Sequence, residues 1–163
     1  MRYAAILLLF LLALVVAVAL IHYKHQAEHL QQTGLLLTAE GRESSRFSLQ
    51  QLKALNDVAF SARLKSSGRP ATTCHYQGIP MLDILAARDI VPAAGQVIHV
   101  KARDGYTVAL TAKDLQMPVY LAHTRDGKPL TDSVGQGGGL QLIIPSDPHS
   151  QRWCKDVREI SIR

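Results

Sequence analysis

Residues 97–145 constrain the fold of this chain most strongly, because two Asp-Gly pairs lie there among runs of β-forming residues. Asp104-Gly105 separates two such runs, and Asp126-Gly127 follows a third. Asp-Gly tolerates the positive φ angles that a tight turn between antiparallel strands demands. The first pair therefore predicts a β-hairpin, and the second predicts another tight turn.

A glycine cluster at residues 135–139 follows these turns and leads into the apolar run 140–144, which Pro145 ends. A short apolar run between turn signals is typical of a buried strand. The region is thus predicted to be a β-rich core whose backbone is exposed at one glycine loop.

The preceding part of the chain adds further strands and short helices. Ser48 and Gln51 stand at the spacing of a capping box, before a helix that is predicted over residues 49–55. Residues 58–64 alternate apolar and polar, which indicates a strand with one buried face, and Pro80 is placed to begin a second short helix. Since strands outnumber helices, we predict an α+β fold with a mixed, mostly antiparallel β-sheet core.

The chain begins with an uncharged apolar run at residues 4–21, which is long enough to cross a bilayer core. One interpretation is a signal anchor that stays as a transmembrane helix. The other is a signal peptide that is cut after Ala19 and releases the protein into the periplasm. Arg2 places positive charge on the short side, which favours a cytoplasmic N-terminus and a periplasmic globular domain.

The 163 residues therefore divide into a transmembrane helix at residues 1–21, a polar helical stalk at residues 22–33, and one domain at residues 34–163. We therefore expect the chain to cross the inner membrane once, through residues 1–21. The net charge of +5 is scattered and forms no basic stripe, so nucleic acid is not an expected partner.

Four motifs resemble those of a known family. In chain order they are the Tyr-Gln-Gly-Ile-Pro-Met-Leu-Asp-Ile-Leu run at residues 76–85, Asp104-Gly105-Tyr106, Leu-Ala at residues 121–122 with Asp-Gly-Lys-Pro-Leu at residues 126–130, and the Gly-Gly-Gly-Leu-Gln-Leu-Ile-Ile-Pro run at residues 137–145. With its motifs in this order, the chain resembles the oxidoreductase molybdopterin-binding domain, the fold of the sulfite oxidase family, over residues 35–163. The resemblance implies a sulfite oxidase-like fold and a molybdenum cofactor. If the cofactor is bound, the implied chemistry is two-electron or oxygen-atom transfer.

The chain departs from the family pattern at the metal ligand. Enzymes of this family bind molybdenum through a cysteine thiolate that stands well before the Gly-Val-Pro segment, in a Cys-x-Gly context. Residues 47–52, at that distance, contain no cysteine, and Cys74 lies much nearer to Gly78. Either a shortened loop moves Cys74 into the place of the metal ligand, or the metal has been lost.

Cys74 and Cys154 are the two cysteines of the chain. The resemblance implies that their strands approach the same side of the sheet, and an extracytoplasmic location permits a disulfide. Such a bond would close a loop of about eighty residues and stabilise the fold by about 4 kcal/mol on the chain-entropy model. The alternative is two buried thiols that act as small apolar side chains. The sequence leaves the pairing open.

The resemblance also implies cofactor contacts. The glycine loop matches the stretch beside the pterin, where free backbone N–H groups can hold a phosphate. Gln141 replaces a family arginine and Asp156 replaces a family tryptophan, whereas Lys155 matches a family lysine that can pair with the phosphate. His123 and Arg125 are expected to face the same side of one strand. The candidate contacts are Gly137, Gly138, Gly139, Gln141, Lys155, Tyr106, His123 and Arg125. Each also has a simpler interpretation as a loop, strand or solvated surface residue.

Two hypotheses follow. In the first, a membrane-anchored extracytoplasmic domain binds molybdopterin and acts as an oxidoreductase. In the second, the domain has lost the metal-ligating cysteine and serves as a cofactor-free ligand-binding or sensory module beside a periplasmic redox or signalling protein. Gln141 and Asp156 favour the second hypothesis, because they remove groups that would fix the cofactor.

Overall fold

The computed structural model describes residues 14–21, 34–65, 68, 70–132, 135, 137–148 and 150–163. The chain divides into two compact units, Met1–Thr33 and Gly34–Arg163. In the first unit, residues 14–21 form helix α1, whose Leu, Val and Ile side chains are exposed. No helix among the described residues is long and apolar enough to cross a membrane. The predicted transmembrane helix extends beyond α1, and the predicted stalk lies wholly outside the described residues, so both stay predictions.

The second unit contains, within its described residues, ten strands, two α-helices and two 3-10 turns. The strands are β1 (Leu35–Ala39), β2 (Ser45–Phe47), β3 (Val58–Leu64), β4 (Thr72–Pro80), β5 (Val97–Ala102), β6 (Thr107–Thr111), β7 (Tyr120–Arg125), β8 (Lys128–Pro129), β9 (Gln141–Ile143) and β10 (Val157–Ile162). The helices are α2 (Leu49–Asn56) and α3 (Met81–Ala86), and the 3-10 turns are Asp114–Gln116 and Ser150–Arg152.

The strands form two five-stranded sheets. Sheet A has the order β2-β1-β10-β5-β6, and sheet B has the order β3-β4-β7-β8 with β9 also paired to β7. The neighbouring strands are antiparallel except β1 and β10, which are parallel. The predicted α+β fold with a mixed, mostly antiparallel core is therefore confirmed, with the strands divided between two sheets.

Both predicted turns are present. Strands β5 and β6 pair across the Asp104-Gly105 turn. Strands β7 and β8 pair across Asp126-Gly127, whose φ angles are +50° and +73°. Two successive left-handed residues give the turn a twist that matches the twist of the flanking strands, which explains why Asp-Gly suits this position.

Helix α2 begins as the sequence predicts. Ser48 Oγ accepts a hydrogen bond from the Gln51 backbone N–H at 3.2 Å, and the Gln51 side chain accepts one from the Ser48 backbone N–H at 2.8 Å. Helix α3 begins at Met81, as predicted, and ends at Ala86, two residues before the predicted end at Arg88. Pro80 still pairs with β7 as the last residue of β4, and it precedes the first turn of α3 as its N-cap.

Apolar side chains of both sheets and both helices meet in one core. The fully buried residues include Leu35, Ile98, Leu110 and Ile160 from sheet A, Ile79, Leu121 and Leu142 from sheet B, and Leu52 and Ile84 from the helices. Burial of this apolar surface is the main stabilising contribution to such a fold.

The loop after Pro145 is held to the 3-10 turn at Asp114–Gln116 by ion pairs. Arg152 contacts Asp147 at 3.0 Å and Asp114 at 2.8 Å. Asp114 also accepts hydrogen bonds from the Thr111 backbone N–H at 2.8 Å and from its hydroxyl at 2.7 Å. Burial alone would raise the pKa of Asp114, but the hydrogen bonds from Thr111 and Arg152 outweigh it and lower the pKa from 3.8 to about 2.

We expect Asp114→Asn to lower the free energy of unfolding by about 1–2 kcal/mol at neutral pH, because the ionised carboxylate is held more tightly in the folded than in the unfolded chain. A lowered folded-state pKa contributes stability that is present above about pH 4 and lost as the pH falls toward about 2. Urea denaturation at neutral pH, pH 4 and pH 2.5 checks this. The parent protein should lose more stability between the two acidic values than the variant, and equal losses would contradict the assignment.

Candidate functional site

The glycine loop is braced by a cluster of two arginines and two buried aspartates, called here the loop network. Arg103 contacts Asp132 at 3.2 Å and Asp156 at 3.1 Å, and Arg158 contacts the same two carboxylates at 3.3 and 2.8 Å. Asp132 is 6% exposed and Asp156 is 9% exposed. The network joins the start of the loop to β5 and to the start of β10, and its formal charges cancel.

The loop itself folds back on the segment that precedes it. The Gly139 N–H donates to the Leu130 carbonyl at 3.1 Å, and the Gly135 N–H donates to the Asp132 carbonyl at 3.0 Å. A Cβ on Gly139 would lie 2.4 Å from the Thr131 carbonyl oxygen, so this close approach requires glycine. Two of the N–H groups that could have held an anion are therefore used within the protein.

Three of the other predicted contacts lie around this end of the domain. Gln141 is buried in β9 and pairs as an isolated bridge with Lys155, which is exposed. Tyr106 is half exposed, and its hydroxyl donates to the Gln151 carbonyl at 3.1 Å. The negative charge that the sequence predicts beside Lys155 belongs to Asp156. In the structure, Arg103 and Arg158 neutralise this carboxylate within the loop network.

His123 does not line an open cleft with the glycine loop. It is 3% exposed, its Nε2 lies 2.9 Å from Asp57 Oδ1, and its Nδ1 lies 2.8 Å from the Thr124 hydroxyl. The β4–β7 register passes from Gln77 opposite Thr124 to Gly78 opposite Ala122, so His123 is the extra residue of a β-bulge. The bulge turns the histidine toward α2, which the assumption of a regular strand could not foresee.

A second polar group, centred on Tyr76, was not found by sequence reasoning. Tyr76 is 2% exposed, and its hydroxyl has no hydrogen-bond partner among the described residues. Arg125 is its cross-strand partner on β7, and Cys74 lies two residues earlier on the same buried face of β4. Burial and then the Cys74 thiol raise the pKa of the Tyr76 hydroxyl, while Arg125 acts in the opposite direction.

The structure contains two free thiols at Cys74 and Cys154, and not the disulfide that was one of the two alternatives. The reason is their placement, since Cys74 stands opposite Ala62 of β3, whereas the Cys154 carbonyl accepts from the Leu142 N–H of β9. Burial, with smaller contributions from Asp104 and Asp156, raises the pKa of Cys154 to about 11. Both cysteines are therefore inaccessible, and Cys154 is poorly ionised at neutral pH.

Three cavities lie on the described part of the second unit, with volumes of about 480, 300 and 380 Å³. The first is lined by residues around Gly95 and Lys113, the second by residues around Met81 and Met117, and the third by residues around Glu40. None of these three is lined by a predicted cofactor contact.

Comparisons with known proteins agree with this fold. A family model described as the oxidoreductase molybdopterin binding domain matches residues 22–163. The crystal structure of the sulfane dehydrogenase SoxCD from Paracoccus pantotrophus is similar, with a TM-score of 0.64 and 17% identity over 79% of this chain. The match covers 37% of the SoxCD chain, so this protein spans well under half of its length, and the likeness is one of fold. No curated protein matches the sequence. Because the family model spans most of the chain, this protein belongs to the oxidoreductase molybdopterin-binding domain family.

Proposed function

We propose that this protein is a cofactor-free ligand-binding module built on the fold of the molybdopterin-binding oxidoreductase domain. The observation that carries the proposal is the loop network. A cofactor phosphate at the glycine loop would need uncompensated positive charge, and the two arginines beside the loop are already neutralised by Asp132 and Asp156. Drawing either arginine toward a phosphate would weaken its ion pairs with two buried carboxylates, which is costly.

Two of the other predicted cofactor contacts, Gln141 and Gly139, fit molybdopterin no better. Gln141 has no charge and is buried, and the N–H groups of Gly135 and Gly139 bond to backbone carbonyls. Cys74, the candidate thiolate, is 5% exposed and packs beside Tyr76. We conclude that the residues present do not fit a thiolate-bound molybdenum cofactor.

We further propose that the module works on the periplasmic side of the inner membrane, with a redox or signalling protein as its partner. The apolar run at residues 4–21 supports an anchor, and the exposed apolar side chains of α1 need a lipid or protein environment. Removal of the signal segment, with release into the periplasm, is the alternative.

A second candidate function is a molybdenum-dependent oxidoreductase in which Cys74 serves as a displaced metal ligand. It is favoured by the Cys74 thiol lying beside the Tyr76 hydroxyl, because a thiol is the soft ligand that such a metal prefers. When bound, the cofactor would supply two-electron or oxygen-atom transfer.

Metal and pterin analysis of the full chain, purified from a host that makes molybdenum cofactor, separates the two candidates. We expect molybdenum and pterin far below one per protein. Near-stoichiometric molybdenum that is lost in Cys74→Ser and kept in Cys154→Ser would contradict the proposal and support the oxidoreductase. Washing membranes of the same cells with alkaline carbonate tests the location, since an anchored chain stays in the pellet.

A further inference from the structure

We propose that Tyr76, Cys74 and Arg125 form a binding site for a small oxyanion, such as inorganic phosphate or the phosphate end of a monoester. The inference rests on the proposed function and deepens it, because it names the class of ligand that a cofactor-free module would bind.

The buried hydroxyl is the first reason. Tyr76 is 2% exposed, and its O–H has no partner among the described residues. Leaving such a group unsatisfied costs more than a typical hydrogen bond contributes, so natural proteins rarely keep one without a purpose. Tyr76→Phe would remove the cost without changing the ring, and the retained hydroxyl therefore points to a ligand.

The charge of the surroundings is the second reason. Arg125 stands directly opposite Tyr76 and forms no ion pair within the described part of the chain. The adjacent Asp126 carboxylate accepts the His75 backbone N–H at 2.9 Å. Lys128 on β8 pairs across from Arg125 and adds a second cation nearby.

The third reason is the hydrogen-bonding character of the side chains around the Tyr76 hydroxyl. The phenol O–H and the guanidinium N–H groups are donors, and the guanidinium presents its N–H groups in a fork that suits an oxyanion. The Cys74 thiol, a weak donor, lies 4.0 Å from the Thr72 carbonyl oxygen. A cation would find no acceptor with a negative charge among these three groups. The set therefore selects for anions.

The site is also held rigidly. The Tyr76 ring stacks on Phe60 with 5.6 Å between centroids and meets Trp153 edge-on at 6.2 Å. Arg125 is half-buried, so its guanidinium connects the buried hydroxyl to solvent. A phenol that its neighbours hold in place needs little reorganisation when an anion binds.

Calorimetric titration of the full chain, purified in detergent without phosphate or sulfate, tests the site. The probes are inorganic phosphate, glycerol 3-phosphate and, as a non-oxyanion, chloride. We expect phosphate binding to weaken about tenfold or more in Arg125→Gln and severalfold in Tyr76→Phe, since each removes a hydrogen bond to a charged group. Arg63→Gln, which removes an exposed arginine on the neighbouring strand β3, is the matched control and should leave binding unchanged.

Binding of glycerol 3-phosphate alone would identify the anion as the end of a larger ligand, and binding of both probes would identify a free-oxyanion site. The proposal is overturned if neither binds, if chloride competes equally, or if Tyr76→Phe and Arg125→Gln bind phosphate as the parent does. Thermal melting without ligand shows that the variants are folded, and Tyr76→Phe should melt at or above the parent temperature. Failure here leaves the cofactor analysis unaffected, so the two proposals fail separately.

Discussion

Gly78→Ala is expected to destabilise the domain by about 3 kcal/mol or more, because there is no room for a side chain where β4 crosses the bulge of β7. A Cβ at this position would lie 2.5 Å from the Leu121 carbonyl oxygen and 2.6 Å from the Ala122 Cα. Both obstacles are backbone atoms of a central strand, so neither can move without displacing the sheet. Urea denaturation followed by the fluorescence of Trp153, the single tryptophan and a buried one, measures the loss.

Gly137→Ala is the matched control. Its φ is not left-handed, and an added Cβ would meet nothing within 4 Å, so we expect a change of less than about 0.5 kcal/mol. Equal stability of the two variants would contradict the close approach of β4 to β7 at Gly78.

Asp132→Ala is expected to cost about 3 kcal/mol of stability. The variant removes a buried carboxylate that both Arg103 and Arg158 contact, and it leaves Asp156 to balance the two guanidinium groups. The Asp132 side chain is 2% exposed and contacts both guanidinium groups. The glycine loop should also become more susceptible to proteolysis, since the network fixes its start. Denaturation and limited proteolysis measure the two effects.

Glu159→Ala, which removes an exposed ion pair, is the control for the loss of stability in Asp132→Ala. Glu159 pairs with Lys101 at 4.0 Å on the sheet surface, where the side chains are 32% and 52% exposed, and such pairs contribute little. We expect a change of less than about 0.5 kcal/mol from this variant. Equal effects from Asp132→Ala and Glu159→Ala would mean that the loop network does not brace the fold.

Local signals made much of the fold predictable. The Asp-Gly turns, the capping box at Ser48 and the alternation of residues 58–64 each act within a few residues, and all are present. Strand β2, the two-residue β8 and the parallel pairing of β1 with β10 had no such signal, because they depend on neighbours far away in sequence.

The candidate site was less predictable because its contacts are long-range. Asp57 meets His123, and the loop network joins residues from three separate segments. A one-residue bulge was enough to redirect His123 toward α2 and away from the expected cleft. The family motifs predicted the fold and the position of the glycine loop. The balance of charge around that loop depends on ion pairs that form only in the folded chain.

The position of β10 determines when the domain can form. This strand lies between β1 and β5, so sheet A remains in two pieces until residues 157–162 join it. Closing a contact between the two ends of the domain carries a large loop entropy, which slows folding and keeps the nascent chain open during synthesis. Sheet A of this domain therefore closes only when residues 157–162 are available, so cooperative folding depends on its last strand.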